Sequence, residues 1–357
     1  MKNIFIDGYY DKNFGDDLML YTLIMYMSKS GFNVYVKKSD EFLSDFKSKI
    51  PFKIIELDDD SINSLKKNKI NAYITVGGSM FPHDSIKEGI FRYVKLLKYV
   101  RLKSTGIKIC VLNCSISWNN YSFGINATKM IFKICDFITC RDKSSYDFIR
   151  KYNKNTELFP DILFHKLKRK RTSNFSQGIL GVSSYMGYKA LQRSKNIIIQ
   201  RILQGIINEY LKKNESNIVK LFSFDGGYNS DLVMAHILKD HSIDIDRVEI
   251  IGYNGDIEAF LNDLNTCSFF IGTRFHSLVY ALANFVPFIP LVYEKKSESL
   301  LKDLNYKGEV FYLNDKIGKE KMINFYFPIN DHEMIDYMVQ NSQEHLIKLT
   351  NFLRSNI

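Results

Sequence analysis

Short apolar runs bounded by glycine or charged residues alternate along this chain with longer segments whose apolar residues recur at three- and four-residue spacing. The first kind fits strands buried on both faces, and the second fits helices that cover them. Asn3–Ile6 reads as such a strand, ending at Asp7 and Gly8. Asp16–Ser30 reads as an amphipathic helix, with Asp16 placed to cap its start and Gly31 just past its end. Further strands are expected at Phe32–Val36, Lys53–Leu57, Tyr73–Val76, Lys108–Leu112 and Phe137–Cys140, with helices at Ile86–Lys103 and Ser144–Tyr152. This alternation predicts a parallel sheet with helices on both faces.

The pattern stops at Lys166–Gln177, a basic and polar stretch without an apolar period, and then restarts. Gly178–Ser183, Ile218–Phe224, Val248–Ile251, Phe269–Ile271 and Phe288–Val292 read as strands. Ala190–Leu211, Leu232–Leu238, Ile257–Leu264 and Ser277–Asn284 read as helices, and Glu333–Leu353 as a terminal one. A chain of 357 residues has length for two cores. The expected division is 1–170 for a first domain, 171–330 for a second, and 331–357 for a C-terminal helix. The fold class is therefore α/β, two Rossmann-like doubly wound domains facing a central cleft. Open α/β sheets bind ligands at the C-terminal ends of their strands, so that cleft is the expected site.

Composition narrows the class. No run of about 18 apolar residues escapes a charge, so no spanning helix is expected. The first apolar run is broken by Asp7 and is too short for a signal peptide, so the expected location is cytoplasmic. The cysteines, Cys110, Cys114, Cys135, Cys140 and Cys267, form no C-x-x-C pair and sit in apolar runs. They read as buried thiols, not as disulfides or metal ligands. Net charge is +10, which suits nucleic acid, an anionic membrane surface or an anionic substrate. No nucleic-acid module is present, so nucleic acid is set aside. Lys95, Lys98, Arg101 and Lys103 form one basic cluster, and Lys166, Lys168, Arg169, Lys170 and Arg171 another. Each reads as a solvated face or a linker. The overall excess is expected to give a salt-sensitive peripheral contact with anionic lipid at the inner membrane face.

Chemistry concentrates where strands end. Gly8–Asp17 follows the first strand and opens the first helix, where free N–H groups favour an anion; it lacks the G-x-G-x-x-G dinucleotide spacing. One of Asp16 and Asp17 is expected to cap that helix and the other to face the cleft. Gly77, Gly78 and Ser79 end a strand and permit close approach of a ligand, with His83 just beyond. The strongest station is IGTRFHS at 271–277. There Arg274 offers a planar fork for phosphate or carboxylate, and His276 a proton donor or acceptor near neutral pH. An arginine paired with a carboxylate and a capping histidine is the bland alternative. YEKK at 293–296 places Glu294, Lys295 and Lys296 at another strand end, and Arg141–Asp142 and Asp161 are weaker versions of the same arrangement. P-loop, H-E-x-x-H, G-x-S-x-G and EF-hand patterns are absent. With Trp118 the one tryptophan, an aromatic platform for a sugar would need tyrosines, of which there are 22.

These stations, in this order, resemble the polysaccharide pyruvyl transferase family. The matching pieces are N-F-G-D-D at Asn13–Asp17, G-G-S at Gly77–Ser79, R-D-K-S-S at Arg141–Ser145 and P-D at Pro160–Asp161, then R-F-H-S at Arg274–Ser277 and VPFIPLVYEKK at Val286–Lys296. The resemblance runs to about residue 305. The chain departs at GGSMF, where many relatives carry more glycine. The resemblance implies a GT-B-like fold, phosphoenolpyruvate as donor, and as acceptor a sugar diol of a surface polysaccharide or its lipid-linked precursor. No redox cofactor and no obligatory metal would be needed. Arg274 and His276 carry over as donor-binding and catalytic positions, with Asp17 or Glu294 as base. Expected substrate contacts are Asn13, Gly15, Asp16, Gly77, Gly78 and Ser79 in the first half, with Arg141, Thr273, Ser277, Lys295 and Lys296 beyond. A GT-B glycosyltransferase using a nucleotide sugar is the competing reading, and a lectin-like scaffold the non-enzymatic one.

Overall fold

The computed structural model describes residues 2–10, 12–39, 50–78, 80–82, 85–117, 123–168, 178–186, 193–226, 230–308, 310–312 and 332–357. They group into two compact units: Met1–Tyr10, Asp16–Lys166 and Tyr337–Ile357 in the first, and Asp11–Gly15 with Leu167–Asp336 in the second. Ser79, His83, Trp118 and Arg169–Arg171 lie outside the described residues.

In chain order the first part carries β1 Asn3–Asp7, α1 Phe14–Lys29, β2 Asn33–Lys37, β3 Ile54–Leu57, α2 Ile62–Lys67, β4 Ile70–Val76, β5 Phe81–Pro82 and α3 Ile86–Ser104. It continues with β6 Lys108–Cys114, β7 Ile116–Ser117, α4 Ile125–Ile134, β8 Phe137–Cys140, α5 Lys143–Ile149, β9 Thr156–Leu158 and α6 Leu163–Leu167. Seven parallel strands form its sheet in the order β3-β2-β1-β4-β6-β8-β9. The inner strands β1, β2, β4, β6 and β8 are buried on both faces, as their apolar runs require; β6 is buried from Ile109 to Cys114. The five cysteines are buried free thiols, as expected. Burial raises the Cys110 and Cys140 thiols well above their usual pKa and holds them inert.

The second part carries β10 Ile179–Ser183, α7 Arg193–Lys213, β11 Ile218–Ser223, α8 Ser230–Asp240, β12 Val248–Gly252 and α9 Ile257–Leu264. After these come β13 Phe269–Gly272, α10 Phe275–Ala283, β14 Phe288–Val292, α11 Lys295–Asp303 and β15 Phe311–Tyr312. Its sheet is parallel, in the order β12-β11-β10-β13-β14-β15. Both orders reverse direction beside their first strand, the doubly wound pattern with a switch point at β1/β4 in one sheet and β10/β13 in the other.

The chain ends in two helices, α12 His332–Asn341 and α13 Glu344–Asn356, where the sequence reading had one. The expected separate C-terminal segment instead groups, from Tyr337 onward, with the first unit. Its apolar stripe is the reason: Leu346, Leu349 and Leu353 are buried, and Phe352 stacks on Phe137 of β8 at 5.2 Å. α11 went unread because KKSESLLKD looks like a charge run; Leu300 and Leu301 bury its other face.

Candidate functional site

At the first switch point a cavity of about 340 Å³ is lined by Asp7, Gly8, Tyr9, Asp16, Thr75, Val76, Gly77, Gly78, Met80 and Lys95. It lies outside the C-terminal ends of β1 and β4, where helices begin and backbone curls away. Asp16 lines this cavity of the first unit, and neither Asp16 nor Asp17 caps the helix, as one of them was expected to do. α1 starts at Phe14, and the Asn13 side chain accepts from the Gly15 N–H at 3.2 Å. Asp17, expected as a base, is 1% exposed and is not among the lining residues.

Sequence reasoning missed Asp7, Tyr9 and Lys95. Lys95 had been folded into a basic cluster that the structure takes apart. Lys98 pairs with Asp60 and the Tyr73 hydroxyl, Lys103 pairs with Asp136, and Arg101 is exposed. Of the four, Lys95 is the one that lines the cavity, its ammonium 5.3 Å from the centre of the Phe81 ring and 5.5 Å from that of Tyr99. Desolvation lowers its pKa against the opposing pull of Asp7. The helical spacing of Lys95 with the buried Tyr99 was the readable signal. Thr75 donates to Asp7 at 3.3 Å and shares a 2.7 Å hydrogen bond with Tyr99.

Arg141, expected as a substrate contact, is enclosed instead. It donates to Asp161 at 2.8 Å, with the two side chains 2% and 1% exposed. Asp161 also accepts from Asn113 at 3.0 Å and from the Leu163 N–H at 2.9 Å. The guanidinium lies against Gly78, where a Cβ would sit 2.3 Å from Nη1.

The second switch point holds Thr273, Arg274, His276 and Ser277. Thr273 donates to the Ser183 carbonyl at 2.6 Å, tying β13 to β10, and Ser277 donates to the Arg274 carbonyl at 2.6 Å. Both hydroxyls, expected to touch substrate, are buried and spent on backbone. Arg274 occupies the N-cap of α10. Its Nε and Nη2 donate to the two oxygens of Asp231 at 2.9 and 2.7 Å, and Asp225 lies 3.5 Å away. The carboxylate pairing is thus present, while Nη1 makes no hydrogen bond among the described residues. Burial raises the pKa of Asp231, against the lowering influence of Arg274. Arg274 also lies over the Tyr185 ring at 4.8 Å, and Tyr185 stacks on Tyr293 at 4.0 Å. Burial pushes the Tyr185 hydroxyl up to about 12.

Phe275 is buried, as the loop's placement between strand and helix demands, and His276 is left half-buried. The His276 ring packs on Gly15, where a Cβ would fall 1.6 Å from Nδ1. Gly15 is held there because residues 12–14 join the second unit's sheet end. Phe14 N–H donates to the Phe224 carbonyl at 3.0 Å, Gly226 N–H to that of Lys12 at 2.8 Å, and the Phe14 ring packs among Phe224, Tyr253 and Phe260. On the adjacent strand, Glu294 takes the N-cap of α11, Lys296 pairs with it at 3.0 Å, and Lys295 is exposed. Neither Arg274 nor Glu294 caps its helix through its side chain, so two helix starts open at neighbouring strand ends.

Two parallel doubly wound sheets define an α/β protein of the GT-B kind. Solved structures agree in fold. A UDP-N-acetylglucosamine 2-epimerase described as putative, from Listeria monocytogenes, aligns at TM-score 0.57 and 12% identity, over 99% of this chain and 96% of that one. The S. aureus MnaA–UDP co-structure aligns at 0.58 and 11%, over 100% and 98%. The UDP-GlcNAc 2-epimerase of Methanocaldococcus jannaschii aligns at 0.54 and 13%, over 98% and 100%. No curated protein matches the sequence. The family is nonetheless clear: residues 13–295 match the family described as Polysaccharide pyruvyl transferase, and the chain belongs to it. It is a transferase enzyme.

Proposed function

We propose that the enzyme transfers the pyruvyl group of phosphoenolpyruvate onto two hydroxyls of one sugar in a surface polysaccharide or its lipid-linked precursor. The observation that carries this reading is the pair of helix starts at β13 and β14, with Arg274, Lys295 and Lys296 beside them. Aligned peptide dipoles and cations at such a place favour an anion, and the donor carries both phosphate and carboxylate. The Asp231 brace fixes the plane of Arg274 and leaves Nη1 for the donor. His276 protonates the donor's methylene carbon, which becomes a methyl group and leaves the neighbouring carbon electrophilic. One sugar hydroxyl adds there and gives up its proton, with Glu294 as acceptor. Phosphate departs with the electron pair of its bond, and the second hydroxyl closes the ketal as its proton passes to the departing phosphate.

The sugar belongs in the cavity of the first unit. Its charged lining is Asp7, Asp16 and Lys95, an acidic balance that repels the donor and suits a neutral polyol. Carboxylates accept from vicinal hydroxyls, the Lys95 ammonium donates, and Tyr9, 47% exposed, offers an aromatic face.

The test offers the enzyme phosphoenolpyruvate and, separately, a panel of nucleotide sugars, with polysaccharide from cells lacking the gene as acceptor. Inorganic phosphate released together with an acid-labile ketal supports the reading. Release of a nucleoside diphosphate would make the enzyme a glycosyltransferase. Asp7→Asn and Lys95→Met should raise KM for the acceptor and leave that for phosphoenolpyruvate unchanged.

A further inference from the structure

Helix α3 carries large apolar side chains on the face away from the sheet. Ile86, Ile90, Tyr93, Val94, Leu97 and Val100 are 42–59% exposed. Their three- and four-residue spacing aligns them along one stripe of the helix. Arg92, Tyr99 and Leu102 are buried on the other side of the helix, and Gly89, in line with Ile86 and Tyr93, is covered by Phe123. The helix thus holds its apolar stripe on the side that its packing against the sheet does not use, which a water-facing helix has no reason to do.

The stripe does not end with α3. Gly89 and Gly124 let α4 approach closely, because a Cβ on Gly124 would lie 2.7 Å from the Gly89 Cα. Phe123 packs on Tyr93 at 5.9 Å, and Phe123 and Met130 are 45% and 46% exposed. Contiguous exposed apolar patches on soluble chains mark surfaces that meet something else.

Charge selects the occupant. Glu88 is the one acidic residue of α3, and α4 has none. Lys87, Arg101 and Lys133 are exposed on these two helices. A second copy of the chain would set cation against cation across the patch. A bilayer with anionic headgroups satisfies both features at once, taking the apolar side chains below the headgroups and the cations among them. We infer that the α3–α4 face docks on an anionic lipid bilayer as an interfacial, non-spanning contact. No helix among the described residues is long and apolar enough to cross a membrane. The contact differs from the purely electrostatic one that net charge suggests, because its apolar part resists screening by salt.

The test is sedimentation of the full chain with vesicles of phosphatidylglycerol and phosphatidylcholine, and with phosphatidylcholine alone. Wild-type protein should pellet with the anionic vesicles, less with the neutral ones, and remain measurably bound to the former at high salt. Ile90→Glu with Leu97→Glu should cut partitioning at least tenfold. The control pair Ile243→Glu and Ile245→Glu, exposed in the second part of the chain, should leave it unchanged. Thermal melts establish that every variant is folded. Vesicle binding that survives the α3 substitutions, or no binding by wild type, overturns the inference. So does a wild-type dimer in the ultracentrifuge that these substitutions make monomeric while vesicles leave the protein in the supernatant.

Discussion

Arg141 and Arg274 are the same residue at the same kind of station, just past a strand of a parallel sheet, each with a buried aspartate partner. They differ in what surrounds them. Arg141 is 2% exposed and its carboxylate has two further donors, whereas Arg274 is 18% exposed, stacks on Tyr185 and borders a helix start without a side-chain cap. The first pair is sealed and its charge is fully used inside the fold. The second is braced on one edge and open on another. A strand-end arginine is therefore a ligand clamp only where its carboxylate leaves part of the fork over and where water, hence substrate, reaches it.

The largest effect should come from breaking the sealed pair. Arg141→Leu strands the Asp161 carboxylate in the interior, at a cost of about 3–5 kcal/mol. Urea unfolding should show the loss in the transition of the first unit. Arg274→Leu should cost less, because Arg274 itself is 18% exposed and truncating it opens a path for water to the otherwise buried Asp231 carboxylate. Equal losses would mean that the two arginines do the same structural work.

Acid should strain the sealed side next. His345 of α13 is buried in a one-way chain: Asn113 N–H donates to the Thr139 hydroxyl, which donates to His345 Nδ1, while Nε2–H donates to the Pro160 carbonyl. Burial, with a smaller push from Arg141, brings its pKa down from 6.5 to about 4, against the opposing pull of the Pro160 carbonyl and Asp161. The unfolded chain then binds the extra proton first as pH falls. Stability from this group is whole above about pH 6.5 and lost by about pH 4, some 3 kcal/mol in all. His345→Gln should flatten that part of the melting-temperature profile, and an unchanged slope would assign it to other groups.

Much of this was legible in the chain. Strands buried on both faces announce themselves as unbroken apolar runs, so Phe137–Cys140 and Phe288–Val292 were placed to the residue. Stations at strand ends follow from fold class alone. What one sequence does not display is the partner of each charge. Asp231 and Asp161 lie 43 and 20 residues from the arginines they hold. Nor does it display which way a helical lysine turns, so Lys95 was grouped with neighbours that face elsewhere. The cap of α1 was misplaced because Asn13 and Asp16 are both good caps, and the burial of Phe14 chose between them.

At the open station the expected loss is in turnover. His276→Asn keeps hydrogen bonding but cannot deliver a proton, and should lower kcat by on the order of 100-fold with little change in donor KM. Arg274→Lys keeps the charge but gives up the two-point brace on Asp231, and should raise donor KM instead. Both proteins should melt near wild type. A His276→Asn enzyme of near-normal rate would leave the ring with no part in proton transfer.

The smallest effects separate the two stations most finely, because each arginine or histidine rests on a glycine. A Cβ at Gly78 would press on the Arg141 guanidinium, 2.3 Å from Nη1, and one at Gly15 on the His276 ring, 1.6 Å from Nδ1. Arg141 is pinned by Asp161 and cannot yield, so Gly78→Ala should cost about 1–3 kcal/mol of stability, the usual range for overpacking. His276 is half-buried, and its ring can swing aside. Gly15 also lies in the first turn of α1, where alanine is favoured over glycine by up to about 1 kcal/mol. That gain offsets part of the displacement, and Gly15→Ala should melt within a few degrees of wild type. The His276 ring is nonetheless moved from where the proposed mechanism needs it to protonate the donor, so kcat should fall by about tenfold while donor KM holds. A Gly15→Ala enzyme that loses stability but not rate would place His276, like Arg141, among the residues that serve the fold.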